Sequence, residues 1–229
     1  MSEQSYAVLT GDLVNSSKLT SMQSAKAMQW LRDAAKKFET LYPQSISGEL
    51  DTFRHDSWQM LMIKPELCLR ASVYLRTALK LHSDTKARYD SRISIGFGEV
   101  EMIAKSRVSD SRGHAFAISG KNLDTMSRNR LMCGAQFNDS VAFKLFSNVA
   151  LPLLDCVVTD WTSTEAQAVH GTLEGHTQEK LAKLLPPNPR TGKDITRQAV
   201  SDSLERGYWA TVADVLSRIE SNSKLWSLL

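Results

Sequence analysis

Along this chain, short unbroken apolar runs give way to longer stretches in which apolar residues recur every three or four positions. Each change of rhythm marks an element. Tyr6-Ala-Val-Leu-Thr10 is a continuous apolar run and predicts a buried central strand. It ends in Gly11-Asp12, so Asp12 sits at the strand's carboxyl end, where open α/β sheets concentrate their chemistry. Residues 19–42 then place Met22, Ala27, Leu31, Ala34, Ala35, Phe38 and Leu41 on one helical stripe, with Pro43 and Gly48 closing it. Two extended runs, 49–54 and 58–63, flank His55-Asp56-Ser57 and predict a hairpin with Asp56 at its tip. Pro65 precedes a helix over 66–82, apolar at Leu67, Ala71, Tyr74, Leu75 and Ala78. In 92–100, Ile93, Ile95 and Phe97 alternate with Gly96 and Gly98, and glycines inside a strand predict close approach by another backbone or a ligand.

Residues 106–120 are polar and glycine-containing, which predicts a functional or mobile loop. A short helix over 121–126, a strand over 130–136, a helix over 141–149 and another over 152–160, with Pro152 in its first turn, complete this half. The order β-α-β-β-α-β-(α)-β-α suits a ferredoxin-like, split-βαβ core with additions. After Asp160 strand patterns stop. Thr162 and Glu165 form a capping-box pattern before a helix over 166–173, which ends at Gly175. Thr177 caps a helix over 178–185, and residues 186–193 are an unambiguous breaker. Helices over 195–206 and 209–221 follow. The fold class predicted is α+β: a palm-like α/β domain over 1–158 and an all-helical, helix-turn-helix-type domain over 159–229. A chain of 229 residues fits two domains.

Composition narrows the setting. Hydrophobic content of 42% with 23% charged residues is that of a packed chain, not a disordered one. No apolar run approaches the ~18–20 residues that cross a bilayer, and the start, Met1-Ser-Glu-Gln-Ser, lacks a secretory pattern, so the expected location is cytoplasmic. Cys68, Cys133 and Cys156 lie far apart, without metal-ligand spacing, and are expected to be small buried hydrophobes. The net charge of +3 is unevenly spread: −1 from Asp160 onward and +4 before it. That distribution works against a simple electrostatic case for DNA binding by the helical half.

Asp12 and Asp56 are the sharpest candidates for chemistry. A strand end and a hairpin tip are neighbours in a split-βαβ sheet, and two carboxylates held together need a cation to neutralise them. Their hard oxygens suit Mg²⁺ or Mn²⁺, which also bind nucleotide phosphates. Against this stands a plainer reading in which Asp12 caps a turn and Asp56 is a tight-turn residue. His114, His170 and His176 lack ligand spacing and read as surface or packing residues.

Three motifs together, Leu9-Thr-Gly-Asp-Leu-Val-Asn-Ser16, His55-Asp-Ser-Trp-Gln59 and Ile93-Ser-Ile-Gly-Phe-Gly-Glu99, resemble the SatD-like family of bacterial proteins. The hairpin also resembles the palm of class III nucleotidyl cyclases and diguanylate cyclases. The resemblance spans about residues 1–140 and implies that Asp12 and Asp56 hold divalent ions, with a helix-turn-helix often following. The chain departs from the pattern in places. His55 stands where the family has glycine, at a position expected to need positive φ. Ser57 and Trp58 replace a Glu-Phe pair. The cyclases' Asn-x-x-x-Arg dyad is unmatched, because Asn122 is followed by Met126 and the nearest arginine is Arg128. The resemblance therefore implies metal or nucleotide binding more than cyclase activity. Lys121, Arg128 and Arg130 are candidate phosphate contacts, or else solvated surface cations.

In the helical half, the helices after Thr177 and Ile195 resemble the pair of a helix-turn-helix. With Ile195, Ala199, Val200 and Leu204 facing the core, Thr196, Arg197, Gln198 and Ser201 are left to reach DNA, and Arg190 and Lys193 to neutralise phosphates. The connection exceeds the usual 3–4 residues, and a helical dimerisation or docking module is the alternative. Trp161 and Trp209 are expected in the core. The expectation overall is a homodimeric, DNA-binding transcription regulator whose palm-like half binds a divalent metal and a nucleotide or phosphate. Mg-dependent nucleotidyl transfer and a degenerate palm acting as a dimer scaffold are the competing readings.

Overall fold

The computed structural model describes residues 5–104, 107–127, 129–136, 141–187 and 191–222. Five strands make one mixed sheet: β1 (Tyr6–Leu13), β2 (Ile46–Phe53), β3 (Ser57–Met62), β4 (Ser91–Gly98) and β5 (Met132–Gln136), in the order β2-β3-β1-β4-β5. β1 lies in the middle, antiparallel to β3 and β4, and β5 joins parallel to β4. Ala7, Val8 and Leu9 are wholly buried, as an unbroken apolar run in a doubly covered strand requires.

Alternation along β1 assigns each side chain to one face. Ala7, Leu9 and Leu13 join the large core formed with α1 (Ser21–Leu41) and α2 (Cys68–Lys80). Val8 points the other way and packs with Leu61, Val108, Ala115 and Phe116 under α3 (His114–Asp124). Thr20 starts α1 with a reciprocal capping box to Gln23. Glu39 ends it: its carboxylate accepts the backbone N–H groups of Gln44 (2.7 Å), Ser45 (3.2 Å) and Ile46 (2.8 Å), folding the turn into β2.

α3 corrects the sequence reading, since residues 114–120 are helical rather than loop. Serine and glycine are weak helix formers, but packing decides here. A Cβ added to Gly96 on β4 would come within 2.3 Å of the Ala115 carbonyl oxygen and 2.7 Å of the Ser119 nitrogen, so the glycine is what admits α3 to the sheet. The approach predicted from the glycines is thus that of another backbone. The hairpin brings a second correction, because positive φ falls on Arg54 (60°) and not on His55.

After β5, α4 (Val141–Leu145), a π-turned segment (Phe146–Ala150) and α5 (Leu151–Asp160) form one helical path that buries Phe143, Phe146, Leu151, Leu154 and Val158. Then come α6 (Ser163–Leu173), α7 (Gln178–Leu184), α8 (Arg197–Arg206) and α9 (Trp209–Glu220). The capping box of Thr162 and Glu165 forms as predicted. One cluster of buried apolar residues runs from the sheet through α2 into Val169, Leu181, Val200, Val212 and Leu216. Polar ties follow the same path. Tyr74 Oη donates to Glu174 at 3.0 Å, and Arg70 forks onto Glu220 at 2.7 and 2.9 Å. Trp161 is buried and donates from Nε1 to the Gly207 carbonyl at 2.8 Å, while Trp209 is half-buried against the core.

Cys68 is buried and Cys133 half-buried, but Cys156 is exposed on α5, against the expectation of burial. No helix among the described residues is long and apolar enough to cross a membrane.

Candidate sites at the end of the sheet and on the helical half

The last turn of β1 is held from three sides. Asp12 lies opposite Ser57 on β3 and opposite Arg92 on β4, so the three side chains share the α3 face. Behind them, a Cβ on Gly11 would meet the Trp58 ring at 2.5 Å. The Trp58 indole donates to Ser91 Oγ at 2.9 Å, and that hydroxyl reaches the Asp12 carbonyl at 2.8 Å. The motif residues therefore lock the backbone that carries Asp12.

The Asp12 carboxylate is bound at both oxygens by Arg92: Nε donates to Oδ1 at 2.8 Å and Nη2 to Oδ2. The hydrogen bond that Arg92 donates to Asp12 is the largest influence on its pKa and raises it, while burial opposes the charge. Asp56 is adjacent in the sheet, its carbonyl accepting the Leu13 N–H at 2.8 Å. Its carboxylate is held by the hydroxyls of Ser16 (2.7 Å) and Ser57 (3.2 Å). The hairpin tip and the strand end are thus neighbours, as the sequence implied.

Divalent ions need several hard oxygens whose charge is unspent. Here a guanidinium already neutralises one of the two carboxylates. Among the described residues, no three acids, histidines or cysteines gather as a ligand group. The donors present do not fit a two-ion centre while the Arg92 fork is closed. Sequence reasoning missed Arg92, because only the β1–β4 register places it beside Asp12.

Deeper on the same face lies a buried polar chain: Gln59 Nε2 donates to Thr10 Oγ1 at 2.9 Å, which meets Ser119 Oγ at 2.8 Å. Asn122 spends its amide on Cys133 Sγ at 3.0 Å, tying α3 to β5. Of the predicted phosphate contacts, Lys121 is exposed on the last turn of α3 and Arg130 is half-buried just before β5. Arg128 lies outside the described residues.

On the helical half, α8 opens at Thr196, whose Oγ1 accepts the Ala199 N–H at 3.1 Å. Val200 and Leu204 turn inward, Ile195 and Ala199 are half-buried, and Arg197 and Gln198 stand exposed, with Ser201 half-buried beside them. Arg197 reaches α7 through an exposed ion pair with Glu179 at 2.8 Å, and Gln198 donates to Asp202 at 2.7 Å. Such a surface pair is weak and readily exchanged for another anion. α6 and α7 approach closely at Gly171, where an added Cβ would stand 2.2 Å from Leu181 Cδ2. Lys193 is exposed before α8, and Arg190 lies outside the described residues.

Comparison of the chain with models of known families, with curated proteins and with solved structures finds no match.

Proposed function

We propose that this protein is a DNA-binding regulator that reads the major groove with α8. The observation that carries the reading is the capped start of α8, with Thr196, Arg197 and Gln198 exposed on a helix whose other face is anchored by Val200 and Leu204. Arginine and glutamine are suited to guanine and adenine edges. A capping threonine keeps its hydroxyl hydrogen for a phosphate, and helix N-termini favour anions. α6, α7 and α8 supply the compact helical support that such a reading helix needs.

The sheet half is, on this reading, a palm-like scaffold. Its order β2-β3-β1-β4 is that of a split-βαβ unit, with β5 added. The Asp12–Arg92 fork favours the scaffold role over metal-dependent nucleotidyl transfer.

A mobility-shift titration with duplex DNA from upstream of the protein's own coding sequence tests the proposal. Binding should weaken as salt rises, and Arg197→Ala should lower affinity about tenfold, a loss within the ~1–3 kcal/mol of a specific base contact. Absence of any shift at low salt sinks the reading.

A further inference from the structure

Each of the two side chains exposed in the first turn of α8 is held by an acid. Arg197 Nε meets Glu179 Oε1 at 2.8 Å across the gap from α7. Gln198 Nε2 donates to Asp202 Oδ1 at 2.7 Å, one turn further along α8. Glu179 is itself seated in the first turn of α7: its own backbone N–H, Arg197 and the Thr177 hydroxyl keep its carboxyl below the usual range. Exposed contacts of this kind add little to the stability of a fold, but they have a geometric consequence. A guanidinium gripped at Nε still presents the end pair, Nη1 and Nη2, in its plane. An amide held through Nε2 likewise has its plane set, with its carbonyl oxygen left to accept. Those are the edges that meet guanine at N7 and O6, and adenine at N6.

We propose that Glu179 and Asp202 are positioning residues for sequence reading, which aim Arg197 at a guanine and Gln198 at a nearby adenine of duplex DNA. The inference rests on the reading of α8 as the helix that contacts DNA, and adds how that helix discriminates among sequences. It also gives a use to the acids of the helical half, where Asp and Glu slightly outnumber Lys and Arg. An acid beside the reading face repels phosphate whatever the sequence, and so lowers binding to every duplex. Where the correct base is present, the held arginine needs no further ordering of its long side chain. As water leaves the closing interface, the Glu179–Arg197 pair strengthens. The wrong base meets the repulsion without the two-pronged contact. Discrimination thus rises through a penalty on wrong partners as well as a contact to the right one.

The test is selection of a preferred site from a random duplex library by the full chain, then titration of that site, its single-base variants and an unrelated duplex. Wild type should require a G·C pair at one position and an A·T pair at another. Arg197→Ala should erase the first requirement and Gln198→Ala the second. Glu179→Ala should weaken the G·C requirement alone about fivefold, raise affinity for the unrelated duplex, and leave the melting temperature unchanged. Asp202→Ala should act in the same way on the A·T requirement. In an Arg197→Ala background, Glu179→Ala should lose no further discrimination, since the acid acts through the arginine. A Glu179→Ala protein that binds every duplex more tightly with its G·C requirement intact overturns the proposal, because the acid then only repels phosphate; the DNA reading survives that result. Absence of binding to any duplex at low salt removes the DNA reading, and this inference with it.

Discussion

Asp155 on α5 accepts the Arg76 guanidinium at 2.8 Å through Oδ1 and the backbone N–H of Leu131 at 2.8 Å through Oδ2. The arginine is completely buried and also forks onto Asp90 at 2.8 and 2.7 Å, with Thr159 taking a further N–H at 3.0 Å. One side chain therefore joins α2, the start of β4, the entry to β5 and α5. A buried cation is tolerable only with its hydrogen bonds this well filled.

Removing one partner from such a set leaves uncompensated charge in the interior. Arg76→Ala should therefore cost about 3–5 kcal/mol in urea denaturation. The network also sets an acid limit. Burial pushes the Asp90 carboxyl upward, but the Arg76 guanidinium overrides it and holds the carboxyl below the usual range. A depressed carboxylate stabilises the fold above its unfolded pKa of about 4 and loses that contribution as pH falls further. The contribution of the Asp90–Arg76 pair should hold from neutrality to near pH 4 and be lost below it. An Arg76→Ala protein as stable as wild type at pH 7 would refute the linkage.

A second pH dependence lies at the α2–α6 contact. The Thr77 hydroxyl donates to the Tyr74 carbonyl at 2.9 Å, so His170 Nδ1, at 3.0 Å from that hydroxyl, carries the proton and donates to it. The ring stacks on Tyr74 with centroids 4.4 Å apart. Burial lowers the His170 pKa to about 4, with Glu174 pulling the other way. The unfolded chain then binds the proton that the folded chain refuses, so stability falls as pH drops from about 6.5 toward 4, by roughly 3 kcal/mol at most. His170→Gln should flatten the melting-temperature profile over that window. An unchanged slope in the variant would assign the effect elsewhere.

Two glycines in contact with or within α3 should respond in opposite directions. Gly96→Ala drives a methyl into the Ala115 carbonyl and should cost about 1–3 kcal/mol by overpacking. Gly120 meets nothing within 4 Å and lies inside the helix, so Gly120→Ala should stabilise by about 0.5–1 kcal/mol. Paired thermal melts decide the matter: equal effects at both positions would contradict the packing described.

These cases show which features local pattern can reveal. β1, α1, the hairpin and the Thr162 cap were readable because each depends on residues a few positions apart. α3 was hidden, since Ser119 and Gly120 carry little helix preference and it is held by a strand that precedes it. Nothing near Arg76 distinguishes it from a solvent-facing arginine, because the acids that accept it stand 14 and 79 positions away. Asp12 and Asp56 were found as neighbours from the order of elements. The group that meets Asp12 was not, because residues 80 positions apart are joined only by strand register.

That register also makes the carboxylate end of the sheet testable. With the fork closed, Asp12 has no unspent charge for a cation, so Mg²⁺ should leave the wild-type melting temperature unchanged. Arg92→Ala removes the guanidinium and leaves the Asp12 carboxylate without its counter-charge, a deficit that a divalent ion relieves. The variant should melt lower than wild type in the absence of metal and recover with millimolar Mg²⁺ or Mn²⁺. Adding Asp56→Asn should abolish that recovery by removing the second ligand. A metal-dependent shift in wild type equal to that of Arg92→Ala would mean that the fork opens readily, and the two-ion reading of Asp12 and Asp56 would regain its ground.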